Sequence, residues 1–334
     1  MATNEIGNTS EIESWESTYE AKSFLSRMSS GILAFARKKP LGFICGLIVI
    51  FFFIVGDVVP AMLNKAAITA GMDDEPVPYV ADQLEQVTGI IYPYAKQDLR
   101  ARLQGSSSDH LLGTDAIGRD ILSRLLYGAR TAVVVAFGAV LIQQTIASIF
   151  GISAGYYGSW IDKGLYRVVD VFQALPGLVV LITILGIFGS GLWQLVFVIG
   201  ALFGPTQSRV IRGQTLYIMA SPFIEAARVV GAGDMRIMTR YVLPNVFALI
   251  VLSATLSLGF VVLLEATLSF LGYGLPPPFP SWGQMLSLEG RQYMRTQPGL
   301  AIYPGLAIGL LVFSFNLFGD ALRDALDPRL RGSR

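Results

Sequence analysis

The sequence predicts an all-α integral membrane protein with six transmembrane helices and an extra-membrane segment between the first two. Three observations carry that prediction. Apolar residues make up 53% of the 334 residues and charged residues only 15%, whereas an average soluble chain is about 25% charged. The apolar residues arrive in blocks of about 20, the length that crosses a bilayer core at about 1.5 Å per residue. Between the blocks lie connections rich in Gly, Pro or charge, which cannot stay in hydrocarbon.

Residues 1–20 hold five acidic residues and no basic one, a composition that does not support a packed core. Over 21–36, Phe24, Leu25, Met28, Ile32 and Phe35 share one side of a helix, as in a helix lying on a membrane surface. Arg37, Lys38 and Lys39 complete an amino-terminal region of residues 1–40. The first span covers 41–63. Its length, and the residues before it, distinguish it from a cleavable signal and make it a retained anchor. Residues 64–128, with nine acidic and six basic residues, form the external segment. Its last part, 118–127, has the periodicity of an amphipathic helix at the outer surface, with Ile121, Leu122, Leu125 and Leu126 apolar.

Residues 129–334 read as a five-helix core, with spans over 129–156, 165–188, 192–212, 242–271 and 300–322. The links at 158–164 and 189–191 are short, and 213–241 is a long polar loop. The last link, 272–298, carries Pro276, Pro277, Pro278 and Pro280 and is too stiff and polar to cross. Gly151 with Gly155, and Gly305 with Gly309, have the spacing that lets helix backbones approach closely. Pro176, Pro205 and Pro304 predict kinks or broken turns.

Sixteen of the 25 Lys and Arg fall in segments that are cytoplasmic if the amino terminus is inside. That bias puts both termini in the cytoplasm. A net charge of +1, with no sustained basic face, argues against a nucleic-acid partner. The lone Cys45 cannot form an internal disulfide, and the lone His110 sits in no ligand cluster. No metal site, cofactor site or catalytic set is expected. No lysine is preceded by Gly and followed by Ser or Thr, so ATP must be bound on other subunits.

The most informative segment is Pro222-Phe-Ile-Glu225-Ala226-Ala227-Arg228-Val-Val-Gly231-Ala-Gly233-Asp234, continuing to Tyr241-Val-Leu243-Pro244. Proline is tolerated at a helix start, Glu225 suits the positive end of the helix dipole, and Gly231 and Gly233 are expected to end the helix in a tight turn. The segment resembles the EAA loop of importer-type ABC permeases, a pattern of Glu-Ala-Ala, three residues, Gly, nine residues, then Ile-any-Leu-Pro. Tyr241 stands where Ile is usual and keeps an apolar anchor.

The stretches from His110 to Arg124, Gly128 to Arg130, Ser269 to Gly274, Pro280 to Gly283 and Asn316 to Arg329 are similar to the dipeptide and oligopeptide branch, second-permease type. Membership implies a type I ABC importer permease fold in a bacterial or archaeal cell membrane. It also implies a second homologous permease, two ATPase subunits and an extracytoplasmic solute-binding protein. The solute is expected to be a di- or oligopeptide, with nickel or oligosaccharides as the alternatives within the family. A channel or a proton-coupled carrier would need rings of charge or mid-span acids, and neither is evident. The resemblance makes Glu225, Ala226, Ala227, Arg228, Gly231, Gly233 and Pro244 the ATPase-coupling residues. Glu265 is a candidate for the translocation path. Arg119, Asp120, Arg124 and Arg130 are candidates for binding-protein docking, with internal salt bridges as the alternative.

Overall fold

The computed structural model describes residues 35–54 and 94–326. The acidic tail, most of the expected surface helix over 21–36, the end of the first span with Asp57, the external segment to residue 93 and the tail after 326 lie outside the described residues. Among the described residues the chain is helical, with one isolated bridge between Thr114 and Asp120.

Helix α1, Pro40–Phe53, starts with a proline at its first turn, where the missing N–H costs nothing. Helix α2, Ile121–Tyr157, is capped by Asp120, whose Oδ2 accepts from the Ser123 N–H at 2.7 Å. Helices α3, Ser159–Ala174, and α4, Gly177–Phe188, meet at an 84° bend. Helix α5, Leu192–Met219, leads to the short α6, Pro222–Val229. Helix α7, Asp234–Phe270, contains a π turn at Met238–Val242. After a one-turn α8, Trp282–Met285, the chain ends its described part in α9, Gly299–Leu326. Helices α2, α7 and α9 are each long and apolar enough to cross a membrane, and the bent pair α3–α4 reaches that length and apolarity only when taken together. At about 1.5 Å per residue, α5 is also long enough to cross, although Arg209 and Arg212 make its second half polar.

Close packing follows the glycines. Helices α2 and α5 pack along their lengths. A Cβ on Gly151 would fall 2.7 Å from the Ser208 carbonyl, and one on Gly155 2.6 Å from Thr215 Cβ. Gly200 and Gly204 of α5 return the favour, accepting Ile142 and Ile146 of α2 at 2.7 Å. Gly42 of α1 lies as tightly against Ala321 of α9. A Cβ on Gly305 or Gly309 would meet nothing within 4 Å, so the second expected pair has no close partner among the described residues.

Two expectations about the elements are corrected. The amphipathic surface helix over 118–127 does not exist as a separate element, because α2 runs unbroken from Ile121 through the span. Its polar side is covered by the folded loop 94–120, which stands in for water. Of the three prolines expected to kink or break helices, Pro176 separates α3 from α4, and Pro205 and Pro304 are carried inside α5 and α9. α5 also continues past the expected end at 212 to Met219.

Trp282 ties the proline-rich link to this bundle. It is 1% exposed, its Nε1 donates to the Leu125 carbonyl at 2.8 Å, and its ring lies against Gly128.

Candidate functional site

Helix α6 is held by two residues and presents the rest. Ile224 and Ala227 are buried, and Ile224 joins Ile211, Ile218, Ile237 and Val246 in a small core between the ends of α2, α5 and α7. Three- and four-residue spacing puts them on one face of the helix, so Glu225, Ala226, Val229 and Val230 are turned outward. Val229 is 88% exposed and Val230 87%. The outward face of α6 thus sets two exposed apolar side chains beside Glu225 and Arg228.

The turn after α6 explains the first glycine. Gly231 has φ 82°, a left-handed conformation that an L side chain resists. Its N–H donates to the Arg228 carbonyl, and the Ala232 N–H donates to the Ala227 carbonyl at 3.0 Å, closing the helix end. Gly233 has an ordinary φ of −70° and caps the start of α7, so the expectation that both glycines turn the chain holds for Gly231 alone. Pro244 lies about three turns into α7, just after the π turn. Tyr156 Oη donates to Asp234 at 2.7 Å, and the Arg228 guanidinium lies 5.9 Å from the Tyr156 ring centre. Those contacts fasten both ends of the turn to α2.

At the opposite end of α2 the candidate docking residues are built into a network. Asp115, 1% exposed, accepts from the Ile117 and Arg119 N–H groups at 2.9 Å and from Arg119 Nε at 2.5 Å. Arg124 Nε lies 3.7 Å from the same carboxylate, and the side chain is 3% exposed. Asp120 caps α2 and meets His110 Nδ1 at 2.9 Å. Arg119, Asp120 and Arg124 therefore occupy internal contacts. Arg130 alone of the four is exposed, and with Tyr94, Tyr127 and Phe279 it lines a cavity of about 310 Å³. Burial pushes the Tyr94 phenol up, and the Arg130 charge opposes the rise.

Glu265 is 1% exposed and accepts from Ser269 Oγ at 2.7 Å. The structure places it inside the chain's own packing, beside the turn after α7, and not on an open face. Sequence reasoning missed Asp115 and the Ile224 anchor. For Asp115 the signal was present, since an Asp followed two and four residues on by backbone donors in a Gly-containing turn is a common loop-closing arrangement.

The family described as binding-protein-dependent transport system inner membrane component matches residues 147–332, which include α6, its turn and Pro244. The chain belongs to that family. The permease is 42% identical over 228 residues to the glutathione transport system permease protein GsiD of Pectobacterium atrosepticum, covering 68% of this chain and 75% of that one. It is 40% identical over 238 residues to the dipeptide transport system permease protein DppC of Alkalihalophilus pseudofirmus, covering 71% and 78%. Among solved structures it resembles an inward-facing conformation of the MetNI methionine ABC transporter, with a TM-score of 0.51 at 21% identity over 62% of this chain and 98% of that chain. That likeness fixes the fold as the type I ABC importer permease fold, and family membership makes the chain an inner membrane component of a transport system.

Proposed function

We propose that the permease forms half of a translocation path for di- or oligopeptides and that α6 is the coupling helix receiving a cytoplasmic ATPase. The observation that carries this is a helix anchored by Ile224 and Ala227 whose other face exposes Glu225, Ala226, Val229 and Val230. A helix fixed to three spans on one side and open on the other converts movement of a docked partner into tilting of those spans. ATP is then bound and hydrolysed on two partner subunits, and the permease itself holds no cofactor. A second permease completes the path and a solute-binding protein delivers the solute. The α6 end lies in the cytoplasm with both termini. The peptide class is supported by the names of the two relatives.

The resting state is closed to one side, and alternating access follows when the ATPases close and drag α6 with them. Arg130, at the outer cavity, is the favoured docking contact for the binding protein. Arg119, Asp120 and Arg124 hold the loop beneath it.

The test is co-purification and uptake. The wild-type chain is expected to retain its ATPase and import peptide, whereas Val229→Asp with Val230→Asp loses both while the purified chain melts as before. An absent ATPase, or normal import by the double variant, overturns the proposal.

A further inference from the structure

An open cleft of about 520 Å³ lies among α2, α5, α7 and α9, apart from α6 and from the Arg130 cavity. Its polar lining comes from Gln143 of α2, Thr206 and Gln207 of α5, Ser253 and Ser257 of α7, and Arg323 of α9. Phe203 and Phe260 line the end nearer Asp120, their rings meeting edge-on with centres 5.3 Å apart. Gln143 and Ser253 fall close to the middle of their 37-residue helices, which is the depth at which polar groups are costly against lipid and are kept where they face solute or water.

Two pairs of side chains form a layer there. Gln143 Nε2 donates to Ser257 Oγ at 3.3 Å, and Ser253 Oγ donates to Gln144 Oε1 at 3.1 Å. All four residues are more than nine-tenths buried, with Gln143 4% exposed. Gln143 Oε1 and Gln144 Nε2 nevertheless have no hydrogen-bond partner among the described residues. Turning either amide over exchanges which atom is left and does not remove the deficit. Unmatched amide atoms at this depth call for a partner from outside the chain.

The lining contains no carboxylate, imidazole or thiol, so it lacks the usual ligands of a transition-metal cation. It offers neutral acceptors and donors between apolar walls, with one cation, Arg323, at the far edge. That combination matches a chain of peptide groups whose side chains vary. We infer that Gln143, supported by Ser257, is the mid-membrane contact to which the solute's peptide N–H donates, with Gln144 and Ser253 behind it. The contact is weak and blind to side chains, which suits a path that must release what it holds. This inference rests on the peptide reading above and adds the residues that touch the solute.

The test uses the full transporter in vesicles with its ATPases and binding protein. Cys45 is the sole cysteine, so Cys45→Ser provides a clean background. In it Ser257→Cys is expected to react with a charged methanethiosulfonate from the α6 side and to be protected by trialanine, while Leu258→Cys, which packs in the core, stays unreactive. Uptake of di- and trialanine is then compared with forms methylated at a peptide nitrogen. Gln143→Leu is expected to shrink the wild-type preference for the unmethylated form about fivefold, the worth of one hydrogen bond. The binding protein's own preference cancels in that ratio. If Gln143→Leu does not assemble, Ser257→Ala carries the same comparison with only a hydroxyl removed. An unreactive Ser257→Cys, or an unchanged preference in the variant, overturns the inference while peptide uptake stands. If the wild type imports neither peptide and neither stimulates its ATPase, the peptide reading itself has failed.

Discussion

Gly231 separates two explanations of the coupling loop, a backbone requirement and a surface contact. Its φ is 82°, yet a Cβ built on it meets nothing within 4 Å. The cost of Gly231→Ala is therefore conformational and not steric, about 1–2 kcal/mol for an L residue held left-handed. That is a factor of about 5–30 in the population of the correctly closed turn. Asn tolerates the left-handed region better than Ala, and a β-branched side chain tolerates it worse. The expected order of solute-stimulated ATPase activity and uptake is Gly, Asn, Ala, Val. Gly233 supplies the control, since its φ of −70° suits any residue and its surroundings are equally open. Gly233→Ala is expected to change stability by no more than about 0.5 kcal/mol. The assay is uptake by the reconstituted transporter beside thermal melting in detergent. If Asn proves as harmful as Val, or Gly233→Ala as harmful as Gly231→Ala, the backbone argument is wrong and the glycines are contact points.

Trp282→Ala removes a fully buried ring and its hydrogen bond to Leu125. It should destabilise the permease by about 3–5 kcal/mol in detergent melting, with uptake falling in proportion to folded protein. Arg124→Glu puts a second negative charge beside Asp115 and should abolish assembly, whereas Arg130→Glu should assemble and lose only stimulation by the binding protein. The opposite pattern on native gels and in ATPase assays would make Arg124 the docking contact. Glu265→Gln keeps an oxygen that can accept from Ser269, so melting should shift by about 1 kcal/mol or less. Coupled uptake that collapses in a folded Glu265→Gln protein would return Glu265 to the path.

Where the chain carried strong local signals, the fold was legible. Pro222, Glu225 and Gly231 mark the start and end of α6 by rules that need no tertiary partner, and the structure places each as those rules require. The 118–127 segment misled because periodicity reports only that one helix face is polar. Water or a folded loop can cover that face, and here loop 94–120 does so through Asp115 and His110. The polar cleft was also hidden, since Gln143 meets Ser257 across 114 positions of sequence.

By itself, then, the sequence determined an all-helical membrane protein and the start and end of α6. Hydropathy, capping and turn chemistry act over a few residues, so a single chain displays them directly. The tertiary structure alone decided that Gly151 and Gly155 find a partner helix while Gly305 and Gly309 have none among the described residues. It also decided that Arg124 is buried beside Asp115 and that two glutamines meet two serines in mid-membrane. Those outcomes depend on which helix faces touch, and spacing along one helix does not specify the helix it will meet.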